Sequence, residues 1–518
     1  MKKTLALFAV LLFASVSLFS EQYQIIDAEY SVKGSGFSFL GKTRPYVLKQ
    51  KFPLDKKKTF NSREELENYI NNYQETLISS RDFDSVTVDY ESTVSENEVQ
   101  EVRLIVDIVD SHHMLAVPLP KYTTENGASV KIKAKDTNFL GTLNTMNMSL
   151  DLGKNTAGDF IPELSFDFDY PFSIGNIDAT FVNDYSLSYI VSNKEYKRGF
   201  EWDAKTGLQL SIPFELLPLS LGIYQYVNGD LDYKYYEEEE ESYFFKDNED
   251  YLYFAEELTL GTSFKLTEFS NYTSLSYSPS IGIKWNWDGN GINNKNYSLA
   301  SPTLSFSHSI SNGKVNWNNN FRKGYNFSLS NSYSYTFIKN DLIPSVRFDA
   351  EYYFNYIAND QEYWNQYGIC SRFHSFYYFE VPTNGTKKRD TESFDGRLRG
   401  VLGSNCGSYS SGFVLNLDLP HNVFTTDFKT QIINFNLQFS PFFDMAVYFD
   451  KNSEDSFNLY NNGYYCGGLE LLVNPVKWSS YTVRASLGID LKGASHANNF
   501  LEAITNNMEI FIGIGLHY

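Results

Sequence analysis

A run of strict alternation near the C-terminal end does most to limit the folds open to this chain. In QIINFNLQFSPFFDMAV, Ile433, Phe435, Leu437, Phe439, Phe443 and Val447 share one parity. Asn434, Asn436, Gln438, Ser440 and Asp444 share the other. Period two belongs to an extended strand with one apolar and one polar face. The same period recurs from about Leu115 onward. Val130, Ile132 and Ala134 alternate with Ser129, Lys131, Lys133 and Lys135, and Leu164, Phe166 and Phe168 alternate with Ser165, Asp167 and Asp169. Lys and Asp on the second face of successive strands require a wet interior, which a packed sandwich lacks. The predicted fold is an all-β transmembrane barrel of antiparallel strands. In it the apolar side of the Asp444 strand meets lipid and Asp444 points into the lumen.

Composition agrees with that reading. Aromatic residues make up 17% of the 518-residue chain, with 39 Tyr and 42 Phe, yet the mean hydropathy is only -0.36. Alternating strands with aromatic girdles produce this combination. Past the N-terminus no apolar run reaches the length of a transmembrane helix. Met1-Lys2-Lys3 followed by the apolar stretch to Phe19 reads as a secretory signal peptide over 1–20. The formal charge of -20 excludes nucleic acid as a partner, because its phosphates would be repelled. Cysteine is scarce: Cys370, Cys406 and Cys466 leave at least one thiol unpaired within the chain. A disulfide between Cys370 and Cys406 is left open.

Residues 21–114 follow a different pattern. Ser62-Arg63-Glu64-Glu65 has the form of a capping box. Leu66, Tyr69, Ile70, Tyr73 and Leu77 then repeat at helical spacing. Phe83 leads into SVTVDYE and a second strand, VQEVRLIVDIVD. This predicts a small α+β domain ahead of the barrel, which occupies 115–518. Eleven or twelve strands precede a long loop spanning about Ala358 to Ser410. Five follow it, around 411–420, 431–449, 464–474, 480–491 and 508–518. Long loops without structure of their own are usually functional or disordered.

Within that loop lies Arg399-Gly400, and beyond it the Phe442-Phe443-Asp444 strand. An Arg-Gly dipeptide in a long loop, followed by a strand carrying Phe-Phe-Asp, resembles the BamA/TamA superfamily of outer-membrane proteins. The 21–114 segment is similar to that family's POTRA domains, on Leu66, Tyr69, Ile70 and Phe83. The chain has Val401 and Ala446 where the family usually has an aromatic residue and a glycine. The resemblance implies sixteen barrel strands, a loop folded into the lumen, and pairing of Arg399 with Asp444. It also implies a weak seam between the first and last strands. Pro118 and Pro120 on the first strand donate no ladder hydrogen bonds, and Gly513 and Gly515 weaken the last, which ends on Tyr518.

No enzymatic constellation is present: no H-E-x-x-H, P-loop or G-x-S-x-G motif occurs. Adjacent His112 and His113 would face opposite sides of a strand. The five consecutive acids Glu237 to Glu241 read as a solvated loop. Neither a cofactor nor a metal is implied. The resemblance implies an assembly or translocation factor for β-rich clients, accessory rather than central because only one POTRA-like unit is found. Its partners would be outer-membrane lipid, unfolded outer-membrane or secreted polypeptides, and periplasmic or lipoprotein accessory subunits. The alternative is a passive porin or an adhesin that displays its loops.

Overall fold

The computed structural model describes residues 22–516 except 36–40, 57, 95–98, 124–126, 155–157, 192–197, 215–216, 230–233, 238–241, 246–251, 270–272, 288–301, 338–339, 358–365, 384–385, 402–404, 429–433, 450–457, 498 and 500–506. The expected signal peptide, Tyr518 and most of the glutamate run lie outside the described residues. Two compact units divide the chain. One takes in the residues up to His113 together with Asn138–Leu143, and the other takes in the rest.

The first unit holds β1 (Gln22–Lys33), α1 (Pro45–Lys51), β2 (Thr59–Phe60), α2 (Arg63–Ser79), β3 (Phe83–Val94) and β4 (Val99–Asp110). Its sheet order is β2-β1-β4-β3, with β1 parallel to β4 and β3 antiparallel to it. α2 begins where the capping pattern predicts: the Glu65 N–H donates to the Ser62 hydroxyl at 3.2 Å. The reciprocal bond shifts one residue upstream, from the Asn61 N–H to the Glu65 carboxylate at 2.9 Å. Leu66, Ile70, Tyr73 and Leu77 form the buried face of the helix. They pack with Ile25, Phe83, Leu104 and Ile108, while the half-buried Tyr69 sets its ring 5.2 Å from that of Phe60.

A polar knot completes this unit. The Asp110 carboxylate accepts the Thr43 N–H at 2.9 Å and the Thr43 hydroxyl at 2.7 Å. Burial pushes its carboxyl above the usual range despite those bonds. Asn138 donates to the Thr43 hydroxyl and accepts the Leu143 N–H, both at 2.8 Å. Residues 138–143 fall in sequence between two barrel strands, so the predicted division at 115 is not a single cut.

The second unit is a closed barrel. Its strands are β5 (Met114–Thr123), β6 (Gly127–Asp136), β7 (Met146–Gly153), β8 (Glu163–Ile174), β9 (Ile177–Val191), β10 (Arg198–Ile212) and β11 (Leu219–Gly229). They continue with β12 (Leu252–Thr262), β13 (Phe264–Glu268), β14 (Ser274–Trp287), β15 (Thr303–Asn318), β16 (Phe321–Thr336), β17 (Asp341–Ile357) and β18 (Gln366–Tyr378). The last are β19 (Ser411–Asp418), β20 (His421–Thr425), β21 (Phe435–Tyr448), β22 (Gly463–Pro475), β23 (Val483–Asp490) and β24 (Met508–Ile514). β12 and β13 both lie against β14, and β19 and β20 both lie against β21, so each couple is one interrupted wall strand. Eighteen wall strands result among the described residues, five of them after the loop.

The expected sixteen is thus corrected, and the excess lies before the loop. One source is β18, read from sequence as the start of the loop. Its inward side carries Cys370, Phe376 and Tyr378, all buried, so the apolar-polar contrast between its faces is lost. Another is the tight hairpin at Asn318–Phe321, where Asn319 takes a positive φ of 52° without a Gly or Pro to mark it. The loop proper therefore runs from 379 to 410, and Cys370 stands in the wall. Cys370, Cys406 and Cys466 are all free thiols.

The wall separates its faces as the alternation requires. Val130, Ile132, Leu260, Ile281, Leu471 and Ile510 are exposed on the outside. Asn183, Asn312, Ser345, Gln438 and Ser440 are buried toward the lumen. β21 runs unbroken through Pro441, with Phe439 and Phe443 outside and Asp444 fully buried within.

Candidate functional site: an arginine tip in the barrel lumen

The 379–410 segment folds on itself through short ribbons, Val381–Thr383 with Thr386–Lys388 and Glu392–Ser393 with Ser408–Tyr409. Its descending part carries Phe394, Leu398 and Val401. All three are buried in one cluster with Phe376, Tyr378, Val414, Ala446 and Cys466 of the wall. Val401 and Ala446, the two departures from the family pattern, thus pack in a common apolar seat.

Arg399 occupies the polar end of this seat and is 4% exposed. Its main-chain N–H and Nε donate to Asp444 Oδ2 at 2.9 and 2.8 Å, and Nη2 donates to Asp444 Oδ1 at 2.6 Å. The bond is a bidentate fork, the strongest arrangement open to an arginine and a carboxylate. Nη1 donates to Asp418 Oδ1 at 2.6 Å and lies 3.2 Å from Glu470 Oε1. Glu470 in turn pairs with Arg484 at 3.2 Å. The lumen side of four strands, β19, β21, β22 and β23, supplies these groups. Parity places them together: Asn416 lies opposite Asp444, and Ser440 lies opposite Glu470. The Asn416 amide also donates to the Arg397 carbonyl at 2.9 Å.

Gly400 follows with φ +97°, a conformation that L side chains rarely adopt. It rests on the backbone of β23: a Cβ here would fall 2.6 Å from Gly488 C and Ile489 N. Its N–H donates to Glu509 Oε2 at 2.8 Å.

A second polar group ties the loop higher up. Glu392 accepts from Arg397 at 2.7 Å and Arg347 at 3.1 Å, and faces His374 Nε2 at 3.0 Å. His374 Nδ1 lies 2.7 Å from Asp349, and Arg347 also reaches the Tyr378 hydroxyl. Burial alone would raise the Glu392 carboxyl, but the bonds from His374 and Arg347 outweigh it and hold it at about 2.

Beside Arg399 lies a partly open pocket bordered by Trp317, Arg322, Gln438, Asn474 and Leu516 among others. Among the described residues, no group of three or more His, Cys, Asp or Glu side chains is arranged to hold a metal ion.

The remaining candidates from sequence make no direct contact with the Arg399 fork among the bonds described above. Pro118 and Pro120 sit on β5 opposite Ile132 and Val130 of β6. Gly515 lies past the end of β24 with φ +102° and open space around it. Gly513 has a packing role that its weak strand propensity does not suggest: a Cβ on it would meet the Phe511 ring at 2.5 Å. Leu66, Tyr69, Ile70 and Phe83 belong to the first unit and serve its core.

Asp418, Glu470, Arg484, Gly488, Glu509 and the His374 group were not singled out from sequence. Each charged one sits at a lumen-facing position of its strand, which is a readable signal. It is a weak one, because acidic residues occur at such positions along the whole barrel.

Fold and site together define a closed antiparallel β-barrel with an apolar outer face and an arginine-tipped loop pinned within its lumen. No protein-family model matches the sequence, and no curated protein matches it. Among solved structures the chain is similar to CdiB from Acinetobacter baumannii, at 12% identity and a TM-score of 0.45, over 90% of this chain and 70% of that one. It is similar to CdiB from Escherichia coli, at 10% identity and a TM-score of 0.46, over 96% and 76%. A third is BamA from Haemophilus ducreyi lacking POTRA domains 1–3, at 13% identity and a TM-score of 0.37, over 94% and 83%.

Proposed function

We propose that this chain is an outer-membrane protein that assembles or exports β-rich polypeptides through the seam between β5 and β24, as an accessory member of the BamA/TamA type. The observation that carries the reading is the Arg399-Gly400 tip, bound to Asp444 inside the lumen and resting beside the closing strand. Five hydrogen bonds hold the tip, four from Arg399 to Asp444 and Asp418 and one from the Gly400 N–H to Glu509. The first unit fits a periplasmic POTRA-like role: β3 is an outer strand of its sheet, and an outer strand accepts an extended client by main-chain hydrogen bonding. The exposed apolar face of the wall meets lipid. The function involves no covalent chemistry and no cofactor.

The test is a reversible lock. One cysteine is introduced in Met114–Thr123 and one in Met508–Ile514, in a chain whose three native cysteines are serine. Oxidation is expected to deplete a set of β-rich proteins from the outer-membrane fraction, and reduction to restore them, with the barrel itself inserted throughout. An unchanged outer-membrane proteome in the locked state refutes the reading and leaves the passive porin or adhesin.

A further inference from the structure

The loop tip is held from the closing strand as well as from β21. Glu509, which accepts the Gly400 N–H at 2.8 Å, belongs to β24. Directly opposite Glu509, on β23, stands Gly488. A Cβ on Gly488 would fall 2.7 Å from Gly400 N and 2.8 Å from Arg399 C. Gly488 therefore leaves open the space that the loop backbone fills, and Glu509 supplies the acceptor at the rim of that space.

A second line runs parallel to the first. Arg399 reaches Glu470 and Glu470 pairs with Arg484, each at 3.2 Å. The Arg484 guanidinium lies 4.2 Å from the centroid of Phe511. Phe511 is two residues beyond Glu509, on the same face of β24. Gly513, opposite Arg484, clears room for its ring. Two successive lumen-facing residues of β24 are thus engaged, one by the loop backbone and one through the arginine cluster.

We propose that Glu509 is a positioning residue that couples the inward loop to the closing strand, so that loop release and β24 loosening are one event. β24 has seven residues, and it pairs with β23 from Met508 to Ile514. A short strand gains proportionally more from a tether. If the seated loop favours a seated β24, then a seated β24 favours a seated loop by the same factor. The inference rests on the proposed function only for its purpose; the coupling exists whether or not a client passes.

The experiment follows backbone hydrogen exchange in β24 and protease cleavage in the 379–410 loop, on the whole chain in liposomes. Glu509→Ala is expected to speed exchange at Ile510–Ile512 by at least roughly fivefold and to speed loop cleavage with it. Glu509→Gln keeps a carbonyl acceptor for the Gly400 N–H and should stay near the native values. Exchange in β10 and β11, across the barrel, should not change, which separates loss of coupling from general unfolding. Should Glu509→Ala fail to insert, Gly488→Ala displaces the tip from the neighbouring strand and must give the same pair of changes. Loosening of the loop with β24 exchange at the native rate, in either variant, overturns the proposal. Client assembly enters none of these readouts, so failure of the seam reading leaves this result standing or falling on its own.

Discussion

The Arg399 guanidinium lies 3.8 Å from the centroid of the Phe442 ring, two residues before the Asp444 that grips its edge. One strand thus holds the arginine on two sides, by a carboxylate in the guanidinium plane and by an aromatic face beneath it. A guanidinium is suited to both contacts, because it is planar and weakly hydrated, whereas an ammonium is a compact and strongly hydrated charge.

Arg399→Ala should loosen the loop more than Asp444→Ala does. Removing the arginine strips Asp418 and Asp444 of this partner and leaves Glu470 with Arg484, whereas removing Asp444 leaves Arg399 two acceptors. Breaking a fully buried pair costs about 3–5 kcal/mol, and a partly wet lumen lowers that figure. The double mutant should cost little more than Arg399→Ala. Rates of loop cleavage give the cycle, and strictly additive effects would show that the two residues do not interact. Arg399→Lys should recover only part of the loss, since it cannot form the fork.

Phe394→Ala should cost about 3–5 kcal/mol of loop stability, the usual effect of emptying a buried aromatic site. Phe394 is wholly buried, with its ring 5.5 Å from Tyr409 and 5.8 Å from Phe376. The barrel should still insert and migrate as a folded species on unheated gels, while cleavage within 379–410 accelerates. A slow, native-like cleavage rate would mean that the cluster does not hold the loop.

Acid should release the upper tether in a defined window. Glu392 is held at about 2, below its ordinary value of 4.5. A depressed carboxyl contributes stability that is fully present above about pH 4.5 and is lost as pH falls through about 2. Pepsin cleavage of the loop should therefore rise across that window in the native chain. Glu392→Gln, which has no charge to lose, should cleave faster at the upper end and show a flatter profile. Asp349, Arg347, His374, Tyr378 and Arg397 all face the group, so the midpoint reports the cluster as a whole.

In the first unit, Leu66→Ala should destabilise by about 2–5 kcal/mol and Ser62→Ala by about 1 kcal/mol through the lost cap. Urea unfolding followed by exchange of the β4 amides measures both. Equal effects of the two substitutions would contradict the burial of Leu66.

The barrel and the inward side of Asp444 were legible because parity is a local property, whereas the pairing with Arg399 was implied by the family resemblance alone. Once Phe439 and Phe443 face out, Asp444 must face in, whatever its neighbours do. The strand number was not legible, and β18 shows why. Alternation marks a wall strand only where the lumen side is polar. Behind the loop, the lumen side of β18 carries Phe376 and Tyr378 because the loop covers it. Glu509 and Gly488 were hidden for a related reason. Their placement against Gly400 depends on strand register across about ninety residues for Gly488 and 109 for Glu509, and no spacing in the sequence encodes register. Gly513 looked like a weak point in the last strand, and only the neighbouring Phe511 ring shows what its missing side chain makes room for.

Barrel diameter grows with strand number, and walls of about sixteen to eighteen strands enclose an aqueous channel in porins. Here Phe394, Leu398 and Val401 sit in that space and are as buried as the interior of a soluble domain. The residues from 394 to 401 therefore obey the packing rules of an interior even though they sit on a connection between strands. Connections elsewhere on such a barrel tolerate inserted epitopes; an epitope placed here would have to be accommodated inside the wall, where close-packed atoms leave it no room.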